Sequence, residues 1–310
     1  MTTSLVQEVP RRYVEQLQTT VETMRRRCVA IYDGAIRLSQ RSGTFVEKAR
    51  EVIEPAAYDV RDFVVNAVYN FEPLDNKNRD QRNTLLELYL GLSVLCIGLA
   101  SGVISGATFF GTVYGTILNP FVELGLLFGL PIYAYLQFRK NSGIDETERR
   151  VWLFGVASFL GSILGHVLGP RLLSTAPSVL FLPPLVLGLL IDYELGPKDL
   201  YQDRQRLMLV AGGISSVVGY VMAYFVVGFA LGPIVAIIVN LALLWVHFQI
   251  TLSTLKSTTI SGTDLQFGYI VAALLLQVVV AVVFGNSQFG EHPEAHEALP
   301  PVAQYRRHHH

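Results

Sequence analysis

Charge is what this chain has least of. Only 16% of its 310 residues are Asp, Glu, Lys or Arg, against roughly a quarter in a soluble domain, while 51% are hydrophobic. Disorder is thereby excluded. With 24 basic and 25 acidic residues the formal net charge is -1, and the one dense basic run is Arg25-Arg26-Arg27. Nucleic acid is therefore not an expected partner, because backbone binding needs many clustered cations. Cysteine is equally scarce. Cys28 lies in a polar region and Cys96 inside an apolar one, so a disulfide between them is not expected. The first 80 residues hold no short apolar core followed by a small-residue cleavage site, so no cleaved signal peptide is expected. Enzyme signatures are missing too: no His-Glu-x-x-His pair, Gly-x-Ser-x-Gly elbow, phosphate loop or pair of intramembrane aspartates occurs. Catalysis is not expected, and the terminal His308-His309-His310 run is set aside.

The charges that exist are unevenly placed. Residues 1–83 hold 25 of the 49, and the stretches downstream are nearly free of them. Seven apolar segments follow, at about 85–105, 117–138, 151–170, 178–194, 207–228, 232–254 and 266–285. Each is near the ~20 residues that cross ~30 Å of hydrocarbon as a helix. The expectation is an all-α polytopic membrane protein, a seven-transmembrane-helix bundle over residues 84–285, with a cytosolic helical extension over 1–83 and a polar tail over 286–310. The lipid bilayer is its first partner. Pro183-Pro184 should kink the fourth segment, since proline removes backbone donors.

Within the extension, Val14, Leu17, Val21, Met24, Cys28, Ile31, Ala35 and Leu38 recur at steps of three and four, the pattern of an amphipathic helix. Arg41-Ser42-Gly43-Thr44 breaks it. A second helical pattern runs through Val46, Ala49, Val52, Ile53, Val60, Val64, Ala67 and Val68. Its polar faces carry both signs, unlike a cationic membrane-surface helix. Residues 11–70 are left with two uses: self-association or partner binding, or packing on the protein's own cytosolic surface.

Orientation follows from counting. Under seven crossings, 21 of the 24 Lys and Arg fall on the side of the N-terminus and three, Arg171, Arg306 and Arg307, on the other. The N-terminus is expected in the cytosol. The tail lies opposite, or returns inside if the last segment does not fully cross. Glycines recur four apart at Gly102 and Gly106, Gly111 and Gly115, Gly125 and Gly129, and Gly161, Gly165 and Gly169, the pattern that lets membrane helices approach closely.

Ionisable groups inside hydrocarbon are costly enough to be functional candidates. Glu123 and His166 fall in the same, non-cytosolic leaflet, where they either face each other or stand apart. Facing each other they form a contact sensitive to protonation. Apart, Glu123 snorkels and His166 bonds a carbonyl. On the cytosolic side Asp192, Glu194, Glu87, His247, Gln249 and Asp264 either ring a vestibule or face headgroup water. A vestibule of oxygens would suit a hard cation, so transient Ca2+ is the one ion considered and no resident cofactor or metal is expected. Asn240 and Gln277 should bond between helices. The candidates for an ion path or gate are Glu123, His166, Asp192, His247 and Gln249.

Glu146-Thr147-Glu148-Arg149-Arg150, Gly155-Val156-Ala157-Ser158-Phe159-Leu160-Gly161 and Leu168-Gly169-Pro170 resemble the third span of the Bax inhibitor family. Leu88-Tyr89 through Cys96 resembles the first span, Pro177-Ser178-Val179-Leu180 the start of the fourth, and residues 232–285 have the spacing of the last two. The resemblance covers roughly residues 70–285. It implies a seven-helix fold with the last helix near the centre, residence in the endoplasmic reticulum, pH-sensitive calcium leak and restraint of programmed cell death. One departure stands out. The family's aspartate pair in the last two helices is absent: the sixth segment reads His247-Phe248-Gln249 and residues 266–285 hold no acid. The chain thus resembles a divergent member, and a non-conducting scaffold or adaptor that recruits partners through its N-terminal helices is the alternative.

Overall fold

Asn78 begins the first long helix: its side chain accepts a hydrogen bond from the Gln81 amide, and after a polar first turn and Glu87 the sequence holds no further charge to the end of the helix at Ala107. The computed structural model describes residues 61–70, 72–74, 78–140, 145–192, 195–255 and 261–290. These residues are helical or in turns, and none is in a strand. The chain divides into two units, 1–65 and 66–310. Of the first, only residues 61–65 are described, and they are helical; the heptad-bearing segment 11–39, with Cys28 and the rest of residues 1–60, lies outside the described residues. The helical turns continue through Val68 in the second unit.

The second unit contains α1 (Arg79–Ala107), α2 (Phe109–Ile117), α3 (Pro120–Lys140), α4 (Glu146–Leu173), a 3-10 turn (Pro177–Val179), α5 (Leu182–Ile191), α6 (Lys198–Gln202), α7 (Arg204–Val227), α8 (Leu231–Leu255) and α9 (Gly262–Phe284). Five of them, α1, α4, α7, α8 and α9, are long and apolar enough to cross a membrane. The protein is therefore all-helical over the described residues, with apolar helices suited to a lipid bilayer. Buried side chains gather where α1 lies along α4, with α5 and α9 against its other sides. By the share of its apolar stretch that is buried, α1 is the most enclosed of the five and α7 the least. The enclosed position that the family resemblance gives to the last helix belongs here to α1.

Two expected segments take other forms. The second is not one straight helix from 117 to 138; α2 and α3 meet at a bend of 108° across Leu118 and Asn119. Asn119 accepts the Phe121 amide on its side chain, and Pro120, which has no amide to contribute, opens α3. The fourth segment is a 3-10 turn followed by only ten helical residues. Pro183 and Pro184 do not kink it. They sit in the first turn of α5, where their missing amides would have had no helical partner.

The glycine pattern resolves into packing on one interface. A Cβ added at Gly102 or Gly106 would collide with the Ser158 or Ser162 carbonyl oxygen of α4, and one at Gly161 or Gly165 with the Leu99 or Val103 carbonyl of α1. The two backbones touch, so no side chain larger than hydrogen fits. Gly125 and Gly129 face open space instead. Gly169 has another role. Its φ of +36° lets the chain turn ahead of Pro170 inside α4, a conformation that L side chains rarely adopt.

Candidate functional site

The structure brings Glu123 and His166 together. Glu123 sits in the first turn of α3, where the helix N-terminus favours a carboxylate. It is 5% exposed, and its Oε1 lies 3.2 Å from His166 Nε2 on α4. The His166 side chain is 24% exposed. The α2 helix covers the imidazole. Tyr114 packs edge-on against the imidazole with ring centres 5.9 Å apart, and its hydroxyl accepts a hydrogen bond of 3.1 Å from Ser162 Oγ. Gly111 and Gly115 make room for the ring: a Cβ at Gly111 would stand 3.3 Å from His166 Nδ1. The bend between α2 and α3 therefore folds one helix over a residue that the next helix contacts.

At the other end of the bundle the remaining candidates are dispersed among separate partners. His247, 7% exposed on α8, places Nε2 3.1 Å from the Leu265 carbonyl oxygen and Nδ1 3.2 Å from the Tyr89 hydroxyl. A carbonyl only accepts, so Nε2 carries the hydrogen and the neutral ring takes the Tyr89 hydrogen at Nδ1. Tyr269 packs edge-on at 5.1 Å between ring centres. Gln249, wholly buried, points elsewhere: its Oε1 accepts from Arg204 Nη1 at 3.3 Å. Asp192 receives Arg82 through its backbone carbonyl and the Leu195 amide through its carboxylate. Glu87 pairs with Arg150 at 3.3 Å on an exposed surface. Glu194 lies outside the described residues. Among the described residues no three His, Cys, Asp or Glu side chains gather as a metal-ion site.

Two buried arginines escaped the reading of the sequence, which counted them only as loop charges. Arg82 is 2% exposed and donates to the Ile191 and Asp192 carbonyls at the C-terminus of α5, where a cation meets the negative end of the helix. Its guanidinium also lies over the Tyr201 ring, 4.6 Å from the centre. Arg204, at the start of α7, joins Gln249 to the Asn70 carbonyl at 2.9 Å, while the Leu74 amide donates to the Gln202 carbonyl at 3.1 Å. Together they fasten the chain entering the bundle to the α5–α7 corner. The signal was faint: each arginine stands at the foot of an apolar run, where a lone charge reads as a membrane boundary.

Asn240 donates to the Ala236 carbonyl of its own helix, not to a neighbouring helix as expected, and Gln277 accepts at 3.4 Å from Thr175 in the turn that follows α4. No protein family, curated protein or solved structure matches this chain.

Proposed function

We propose that the protein is a divergent Bax inhibitor-like membrane protein, crossing seven times with a cytosolic N-terminus, that governs a leak of protons or calcium across an internal membrane such as the endoplasmic reticulum and thereby bears on cell survival. The observation that carries the leak is the Glu123–His166 contact. An acid 5% exposed among apolar helices is expensive in hydrocarbon unless it has work to do, and its partner His166 Nε2 stands 3.2 Å away, partly open to the outside. Five helices are long and apolar enough to cross, the bent α2–α3 pair counts as a sixth if it is one broken span, and we take the short apolar segment Pro177–Ile191 as the seventh. The order of family-like segments and the basic excess on one side support the rest.

Purified protein in liposomes tests this reading, with a calcium dye or a pH dye inside. Release faster than from empty vesicles, altered in Glu123→Gln, supports it; equality with empty vesicles at every pH overturns it. Topology is tested separately by impermeant maleimide on single cysteines placed at Ser142 and Leu195 after removal of Cys28 and Cys96. Seven crossings put these two on the same side, and an α5 that does not cross puts them on opposite sides.

One feature favours the second reading, a non-conducting scaffold. The acids that would form the family's gate are absent: the sixth segment reads His247-Phe248-Gln249 and residues 266–285 hold no acid. Deleting residues 1–83 separates the two: leak survives in the first case, and partner capture vanishes in the second.

A further inference from the structure

The inner faces of α1, α8 and α9 carry polar groups that no packing argument requires. On α8, Asn240, His247, Thr251 and Thr254 are buried, and with Leu244 they follow steps of four, three, four and three along one face. On α9, Gln266, Tyr269 and Gln277 are buried, and on α1 Tyr89, Ser93 and Cys96. Crosslinks join the three: Tyr89 to His247, His247 to the Leu265 carbonyl, and Gln266 Nε2 to the Leu88 carbonyl at 2.9 Å. At the far end Gln277 meets Thr175, and the neighbouring Ser174 Oγ accepts the Asn286 amide. Asn240 to Thr254 spans about 21 Å at ~1.5 Å per residue, much of a hydrocarbon core.

Two buried atoms along this seam, Asn240 Oδ1 and Tyr269 Oη, make no hydrogen bond within the protein. Buried polar atoms in native proteins find partners, and where protein supplies none, ordered water does. Thr251 also stands beside the Tyr89 hydroxyl. We infer that the α1–α8–α9 seam binds a file of water molecules, with the Tyr89–His247 pair as its one protein link, and that the ion it passes is the proton.

The inference rests on the leak reading and names its substrate. The step balances as a relay. Tyr89 takes a proton from water on the Thr251 side while giving its own hydroxyl hydrogen to His247 Nδ1; the imidazolium then gives its Nε2 hydrogen to water beside Tyr269. Rotation of the ring restores the starting tautomer, in which Nε2–H again faces the Leu265 carbonyl. One hydronium is consumed on one side and one formed on the other. The groups facing the imidazole are Tyr89 from α1 and Tyr269 and the Leu265 carbonyl from α9, with Thr251 one turn along its own helix. None of these carries a charge at neutral pH, so a calcium ion finds no counter-charge there.

The experiment uses the full chain in liposomes holding a pH dye, with parallel vesicles holding a calcium dye. Tyr89→Phe and Tyr269→Phe each keep the ring and remove one hydroxyl. Each is expected to slow proton release, Tyr89→Phe by about a hundredfold, the low end of what a positioned proton-transfer group contributes. Proton release unchanged in both variants, or calcium release without proton release, overturns the seam and leaves the leak reading standing. Release of neither ion overturns the leak reading itself. The Tm of Tyr269→Phe in detergent is a second measurement: a hydroxyl bonded to water is missed, so Tm falls, whereas an equal or higher Tm means a dry hydroxyl and overturns the inference.

Discussion

Glu123 and His166 meet at 3.2 Å where α3 crosses α4, the carboxylate buried and the imidazole partly open. The contact joins the bent α2–α3 pair to the most tightly packed part of the bundle. Leu127, Pro131 and Ala134 continue the buried stripe of α3 from Glu123, but α2 has no buried residue at all. The Glu123–His166 contact thus adds a polar tie to the apolar packing of α3.

A double-mutant cycle with Glu123→Gln and His166→Ala should give a coupling of about 1 kcal/mol, within the range for charge-assisted bonds between neighbours. Thermal unfolding of the purified protein in detergent measures it. A coupling near zero would mean that the two side chains act independently.

The α1–α4 interface predicts opposite outcomes for glycines that look alike in sequence. Gly106→Ala drives a methyl into the Ser162 carbonyl, and neither backbone can yield without separating the helices. The cost should be at least 1–3 kcal/mol, roughly that of overpacking a core. Gly125→Ala meets nothing within 4 Å and should change stability by less than about 0.5 kcal/mol, as surface substitutions do. Monodisperse yield and Tm of the two variants, compared side by side, check the contrast.

This contrast also marks how far the sequence could be read. Apolar runs of bilayer length announced α1, α4, α7, α8 and α9, because the cost of unsatisfied backbone in lipid leaves few alternatives to a helix. The bend at Asn119-Pro120 was written in the sequence as a turn dipeptide, but an average over twenty residues hides a two-residue break. Pro183-Pro184 was read with the right chemistry and the wrong position, since a proline's effect depends on where the helix begins. Counting turns in antiparallel helices put Glu123 and His166 in one leaflet, but whether they touch depends on which helix faces meet. The partners of His247 and the burial of Arg82 and Arg204 depend on which faces of three helices meet, and periodicity in one helix does not carry that information.

Arg82 tests whether a buried cation at a helix end is structural. Arg82→Met removes both hydrogen bonds to the α5 C-terminus and the stacking over Tyr201, and should cost about 2 kcal/mol, near the value of charge-assisted bonds at a helix terminus. Arg82→Lys should recover only part of this, because an ammonium is not a planar fork and stacks poorly on a ring. The order of Tm values, wild type above Lys above Met, is the expected result. A methionine variant as stable as wild type would show that desolvating the guanidinium costs as much as its bonds return.

Arg204 makes a local prediction. Its Nη1 holds the Asn70 carbonyl and the Gln249 side chain at once, so it ties the chain before α1 to the start of α7. Arg204→Ala leaves the Leu74 amide bond to the Gln202 carbonyl as the remaining backbone tie between these segments. Local opening of residues 66–74 should then occur well below the cost of global unfolding, and a protease reaches chain that opens locally. Limited proteolysis followed by mass spectrometry should find cleavage between residues 61 and 78 accelerated several-fold in the variant, with Tm nearly unchanged. Equal cleavage rates would place the anchor of this segment at Leu74 and Gln202 instead, and Gln202→Pro, which leaves that carbonyl in place but distorts the end of α6, would then be the substitution that releases it.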